Sequence, residues 1–135
     1  MKLRSCFITN SSSTSFVMIG WAVDFPDVYS RQKELVSKVF GVDLEKLSDE
    51  ETEDLFYELR HLGYNGLSFQ IGEEHGAPDD DTILVGMRVS LMNDELIEYR
   101  EEKFSIKELK EVLNIARDKF NIKKRPKILT SWFNT

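Results

Sequence analysis

The sequence predicts an α+β fold, a mixed or antiparallel sheet of four to six strands packed by about three helices in a single domain spanning residues 1–135. Three observations carry this expectation. Two capping boxes, Ser48 with Glu51 and Ser105 with Glu108, each precede an apolar stripe at helical spacing. Residues 15–24 form a nearly continuous apolar run rich in Phe, Val, Ile and Trp, the mark of a strand covered on both faces. From residue 82 to 91, Ile83, Val85, Met87 and Val89 alternate with a period of two.

Taken in order, residues 2–8 read as a short first strand. The polar connection Thr9-Asn10-Ser11-Ser12-Ser13-Thr14 then turns the chain into the strand at 15–24, so that the two strands pair as a hairpin. Over residues 27–40, Val28, Leu35, Val36, Val39 and Phe40 recur at near-helical spacing, and Gly41 is placed to end that helix. The helix opened by Ser48 carries Asp49, Glu50, Glu51, Glu53 and Asp54 in its first turns, where the helix dipole favours negative charge. Leu55, Phe56 and Leu59 give it an apolar face, and Gly63 supplies a stop. Strands at 67–71 and 82–91 flank a long acidic loop at 72–81. Residues 95–103 fit either a strand or an irregular lead-in. The helix after Ser105 shows Ile106, Leu109, Val112, Leu113, Ala116 and Phe120 on one stripe, and residues 127–133 close the chain as a strand after Pro126.

Composition narrows the class. The chain has 135 residues, 41% of them hydrophobic and 31% charged, which excludes collagenous, coiled-coil and wholly disordered architectures. A chain of this length buries about two-thirds of its unfolded surface without staples. Cys6 is the single cysteine, so an intramolecular disulfide is excluded, and it sits in the apolar first strand, where a buried inert thiol is expected. The longest apolar run, residues 16–23, is far short of a membrane span, and no cleavage pattern marks a signal peptide; a cytoplasmic location and no membrane partner are expected. The net charge of −6 is unevenly laid out: residues 41–100 hold sixteen acidic and four basic side chains, whereas residues 101–135 hold five acidic and nine basic.

The most unusual stretch is the hydroxyl-rich one. Asn10, Ser11, Ser12, Ser13, Thr14 and Ser15 can bring hydroxyls and turn amides to a phosphate or another small anion. The stretch lacks the glycines and the lysine of a P-loop, and a solvated turn explains it equally well. Residues 2–16 resemble the opening of many small proteins of bacteria, phages and other mobile elements. Those proteins begin with a short basic strand followed by Phe-x-Thr-Asn-Ser-Ser-Ser-x-Ser-Phe, matched here from Phe7 to Phe16, with Thr14 where serine is commoner. The resemblance implies a phage- or prophage-type accessory protein and brings no catalytic role with it.

Other candidate chemistry is local. Glu73, Glu74, His75, Asp79 and Asp81 gather oxygen donors and an imidazole suited to a divalent cation, though at no EF-hand spacing. His61 follows Arg60 at a helix end, where a cation complements the dipole. The basic run Lys123, Lys124, Arg125 and Lys127 lies near Trp132 and Phe133 and suits single strands, yet the overall acidity opposes nucleic-acid binding. The acidic middle instead suits a basic partner surface, including one that otherwise binds DNA. No zinc pattern, nucleophile elbow or glycine-rich phosphate loop is present. Two functions follow. The first is a small, acidic, non-catalytic interaction protein that needs no cofactor and binds and modulates a host protein, in the manner of an inhibitor or counter-defence protein. The alternative is a phosphate- or nucleotide-binding protein or small enzyme using the stretch from Asn10 to Ser15.

Overall fold

The computed structural model describes residues 13–93 and 104–134. The strand at 2–8, Cys6, Asn10, Ser11, Ser12 and the segment 95–103 lie outside the described residues. Strand β1 runs Ser13–Asp24, helix α1 Gln32–Phe40, helix α2 Asp49–His61, strand β2 Ser68–Ile71, strand β3 Thr82–Asn93, helix α3 Ile106–Phe120 and strand β4 Lys127–Asn134. The described strands form one antiparallel sheet in the order β2-β3-β1-β4, an α+β architecture as expected.

The helices cover one face of this sheet. Trp21 of β1, Phe69 and Ile71 of β2, and Ile83 and Val85 of β3 project into a core shared with Leu35, Val36 and Val39 of α1, Phe56 and Leu59 of α2, and Val112, Leu113 and Ala116 of α3. Period-two strands meeting 3.6-period stripes make such a layer. On the opposite face Phe16, Met18 and Leu84 form a second, smaller cluster joined by Leu129. The acidic loop closes it: Ala77 is buried there, and Gly76 lies so near the Phe16 ring that a Cβ would sit 2.7 Å from it. The continuous apolar character of β1 thus has its cause in burial on both faces.

Two expectations change, while the expected hairpin rests on residues 2–8, outside the described residues; β1 itself pairs with β3 across Thr14–Asp24 and with β4 across Ser13–Gly20. The first helix begins at Gln32 rather than Asp27, since Asp27 adopts φ 53° and its carbonyl caps a turn, accepting from the amides of Ser30 and Arg31. Strand β1 begins earlier than expected: Ser13 and Thr14, read from sequence as part of the polar connection, are strand residues of β1 together with Ser15.

The predicted caps are made. The Ser48 hydroxyl accepts from the Glu51 amide at 3.1 Å, and the Ser105 hydroxyl accepts from the Glu108 amide at 3.1 Å, each satisfying a donor that the first helical turn leaves open. Gly41 ends α1 in the left-handed conformation, φ 72°. No described helix is long and apolar enough to cross a membrane.

Candidate functional site

Helix α2 presents two chemically different faces. Thr52, Phe56 and Leu59 are buried, and the Thr52 hydroxyl is satisfied by donating to the Ser48 carbonyl at 2.8 Å. One turn around, Glu50, Asp54, Tyr57 and His61 follow each other at helical spacing on the exposed side. Tyr57 is 62% exposed and stacks on His61 with ring centroids 4.2 Å apart. Leu62, the residue after the helix, is 79% exposed.

The charges on this face are uncompensated. Among the described residues, the ion pairs are Arg31–Glu34 and Lys33–Asp49, at 2.5 and 3.2 Å. Among the described residues, no cation lies within ion-pairing distance of Glu50, Glu51, Glu53 or Asp54. Dipole complementation accounts for the carboxylates of the first turn. Contrary to the expectation that included Asp54, it does not extend to that residue, which lies in the second turn with Glu50 and Glu51 one turn before it and Glu58 one turn after. Beside this face, an open polar cleft of about 470 Å³ separates the starts of α1 and α2, lined by Tyr29, Lys33, Asp49, Thr52 and Glu53 among others. Tyr29 packs edge-on against Phe56, and burial raises its phenol pKa above the ordinary value.

At the far end of α2 the charge reverses. After Leu62 the chain turns through Gly63 and then through Asn65-Gly66, both at positive φ (48° and 87°), with Tyr64 and Leu67 exchanging backbone hydrogen bonds at 2.9 and 2.8 Å. An Asn-Gly pair with both residues left-handed is the tight turn that suits a twisted antiparallel ribbon. This turn leads directly into β2 and brings Arg60 and His61 beside β2, β3 and the acidic loop. A guanidinium nitrogen of Arg60 (Nη2) is in contact with Nε2 of His75, and the His61 and His75 rings lie 6.3 Å apart. Burial, then Arg60, then His61 lower the His75 pKa below the ordinary value, with Glu74 opposing, so the neutral imidazole is favoured and Nε2 accepts from Arg60.

The residues singled out from sequence are therefore distributed differently from expectation. Of the hydroxyl-rich set, Thr14 is buried and Ser15 half-buried within β1, flanked on both sides by paired strands, so they do not form a loop that wraps an anion. Glu73, Glu74, His75, Asp79 and Asp81 do not converge as a metal cage. Among the described residues no group of three or more His, Cys, Asp or Glu side chains is placed to hold a metal ion. The reason is local: Asp79 accepts from the Asp81 amide at 2.8 Å, Asp81 accepts from the Asp27 amide at 2.9 Å, and His75 turns to Arg60. The basic run remains exposed, anchored where the Lys124 carbonyl accepts from the Trp21 indole at 3.0 Å. Sequence reading missed the meeting of Arg60 and His61 with His75, because β2 and the loop bring them together. The Asn65-Gly66 turn signal was the one local clue to it.

No family model, curated protein or solved structure matches this chain.

Proposed function

We propose that this chain is an interaction protein that docks a basic surface of a protein partner through the exposed face of α2. The observation that carries the reading is Asp54. It lies beyond the reach of the helix dipole, has three carboxylates within one turn, and has no cation partner among the described residues. Folding gains nothing from that arrangement, whereas a cationic partner does. Tyr57 and Leu62 add exposed apolar area of the kind that anchors interfaces, and the surrounding carboxylates speed and orient encounter with a cation-bearing surface. The resemblance of residues 2–16 to openings of phage and mobile-element proteins supports a host protein as the partner, modulated by occupancy of its basic surface.

The test compares the wild-type chain with a Glu50→Lys/Asp54→Lys/Tyr57→Ala variant in cross-linked bacterial lysate, each recovered by an affinity tag. A stoichiometric partner is expected with wild type and lost with the variant, while circular dichroism shows both folded. An Ile128→Ser variant, altering an exposed apolar residue on β4, keeps the partner. If the same proteins come down with the α2 variant and with wild type, this face is not the docking surface.

A further inference from the structure

Strand β1 runs on past the strand that covers its outer edge. Its register with β4 ends at Gly20 opposite Lys127, whereas its register with β3 continues to Asp24 opposite Thr82. The connection before β4 is the cause. Helix α3 ends at Asn121 in the left-handed conformation, φ 51°, and the Lys124 carbonyl is then held by the indole of Trp21, a side chain of the helix-covered core. Pro126, which has no amide to give to a ladder, leads into β4. The chain thus joins the sheet only at Lys127, and an open groove of about 440 Å³ is left, lined by residues 21–24 of β1 and residues 121–124.

The backbone along this groove is unpaired. Successive strand residues aim their amide and carbonyl groups at opposite edges. The Phe25 amide donates to the Asp81 carbonyl at 2.8 Å, on the β3 side. The amide and carbonyl groups of Asp24 and Ala22 consequently aim at the edge that β4 leaves uncovered, and among the described residues they have no backbone partner there. The same phase makes Gly20 and Gly86 a non-hydrogen-bonded pair, the closer kind, and a Cβ on Gly20 would indeed stand 2.6 Å from the Gly86 Cα. The charge beside the groove is positive. Lys123 and Lys124 line it, Arg125 and Lys127 follow in the chain, and all four are exposed. Among the described residues none of them has a carboxylate within ion-pairing distance, and Asp24 is the one carboxylate in the lining.

We propose that this groove receives an extended acidic segment of a partner protein, added to the sheet beside residues 21–24 in the place that β4 leaves open. A peptide backbone supplies both the acceptors and the donors that Ala22 and Asp24 call for, and carboxylates along it meet Lys123 and Lys124. A nucleic-acid strand matches less of the groove: its phosphates accept but do not donate, Asp24 repels them, and Trp21 is buried, so its ring offers no stacking platform. The groove uses no residue of the α2 face and stands whether or not that face docks a basic surface.

The experiment titrates the isotope-labelled wild-type chain with an alternating Glu-Val hexapeptide of blocked ends, up to millimolar concentration, and follows amide shifts and hydrogen exchange by NMR. Saturable shifts are expected at residues 21–24 and 121–125. Exchange at the Ala22 and Asp24 amides slows as the peptide saturates, while that at Phe25, already bonded to Asp81, stays as it was. Lys123→Glu/Lys124→Glu, at two exposed positions, keeps the fold and weakens the peptide about tenfold. A Lys-Val hexapeptide of the same design and a single-stranded oligonucleotide leave the groove amides unshifted. The proposal is overturned by any of four results: no saturable shift in the groove, shifts without slower exchange at Ala22 and Asp24, equal affinity in the folded double variant, or groove binding by the Lys-Val peptide or the oligonucleotide.

Discussion

Asp54→Asn is expected to make the protein more stable, and the size of the gain follows from its position. Asp54 is the sixth residue of α2, so the dipole that favours Asp49, Glu50 and Glu51 does little for it. It stands three or four residues from Glu50, Glu51 and Glu58, and each like-charge pair at that spacing costs about 0.2–0.5 kcal/mol. Removing one charge relieves all three pairs, a gain of about 1 kcal/mol, and Asn and Asp differ little in helix propensity. For a chain of 135 residues that corresponds to a rise of about 3–4 °C in Tm. Calorimetry at about 10 mM salt reads it directly. At about 0.5 M salt the screening length shrinks to a few ångströms and the gain should fall below about 1 °C. Asp49→Asn is the opposing control: it loses both the dipole interaction and the Lys33 pair, and its Tm should drop. A lower Tm for Asp54→Asn, or a gain that persists in high salt, would refute the claim that Asp54 is held at electrostatic cost, and with it the main support for a docking face.

The remaining expectations concern the scaffold. Ser48→Ala and Ser105→Ala each remove a hydroxyl that accepts from the third helical amide, and each should cost about 1 kcal/mol by chemical denaturation. Gly66→Ala should cost about 2–3 kcal/mol, because a side chain at φ 87° is strained and its Cβ would stand 2.9 Å from the Val112 side chain; Asn65→Gly, one residue earlier in the same turn, should stay within about 0.5 kcal/mol of wild type. The lowered proton affinity of His75 gives a signed pH dependence. The unfolded chain takes up a proton that the folded chain resists, so this stabilisation is complete above the ordinary histidine pKa of 6.5 and declines as acidification proceeds below it. His75→Gln should flatten the fall in Tm between pH 7 and pH 5; an unchanged slope would count against the Arg60–His75 contact.

What was legible in the sequence was whatever is decided locally. The caps at Ser48 and Ser105 act within three residues, so the starts of α2 and α3 were readable to the residue. The alternation at Ile83 and Val85 marks a strand with one face on the helices, and those side chains are indeed buried there. Asp27 failed as a helix start because its positive φ is imposed by the turn after β1, where the Asp81 carboxylate accepts its amide from 54 residues away. The contact of Arg60 and His61 with His75 was illegible for the same kind of reason. His61 reads, in isolation, as a dipole complement, and nothing near His75 in sequence signals that a helix end will arrive beside it.

The placement of β1 between β3 and β4 also has a consequence for how the chain reaches its fold. Gly20 of β1 is registered opposite Gly86 on one side and Lys127 on the other, and the Trp21 indole is bonded to a carbonyl 103 residues later. The most apolar strand therefore emerges early in synthesis and finds its second neighbour only when the segment after α3 is available. Loop closure over such separations slows folding and prolongs the exposure of strand edges. Removal of residues 127–134 should thus do more than shorten the sheet: it would leave the Ser13–Gly20 edge open for pairing with another copy of the chain, turning a folding intermediate into a seed for association.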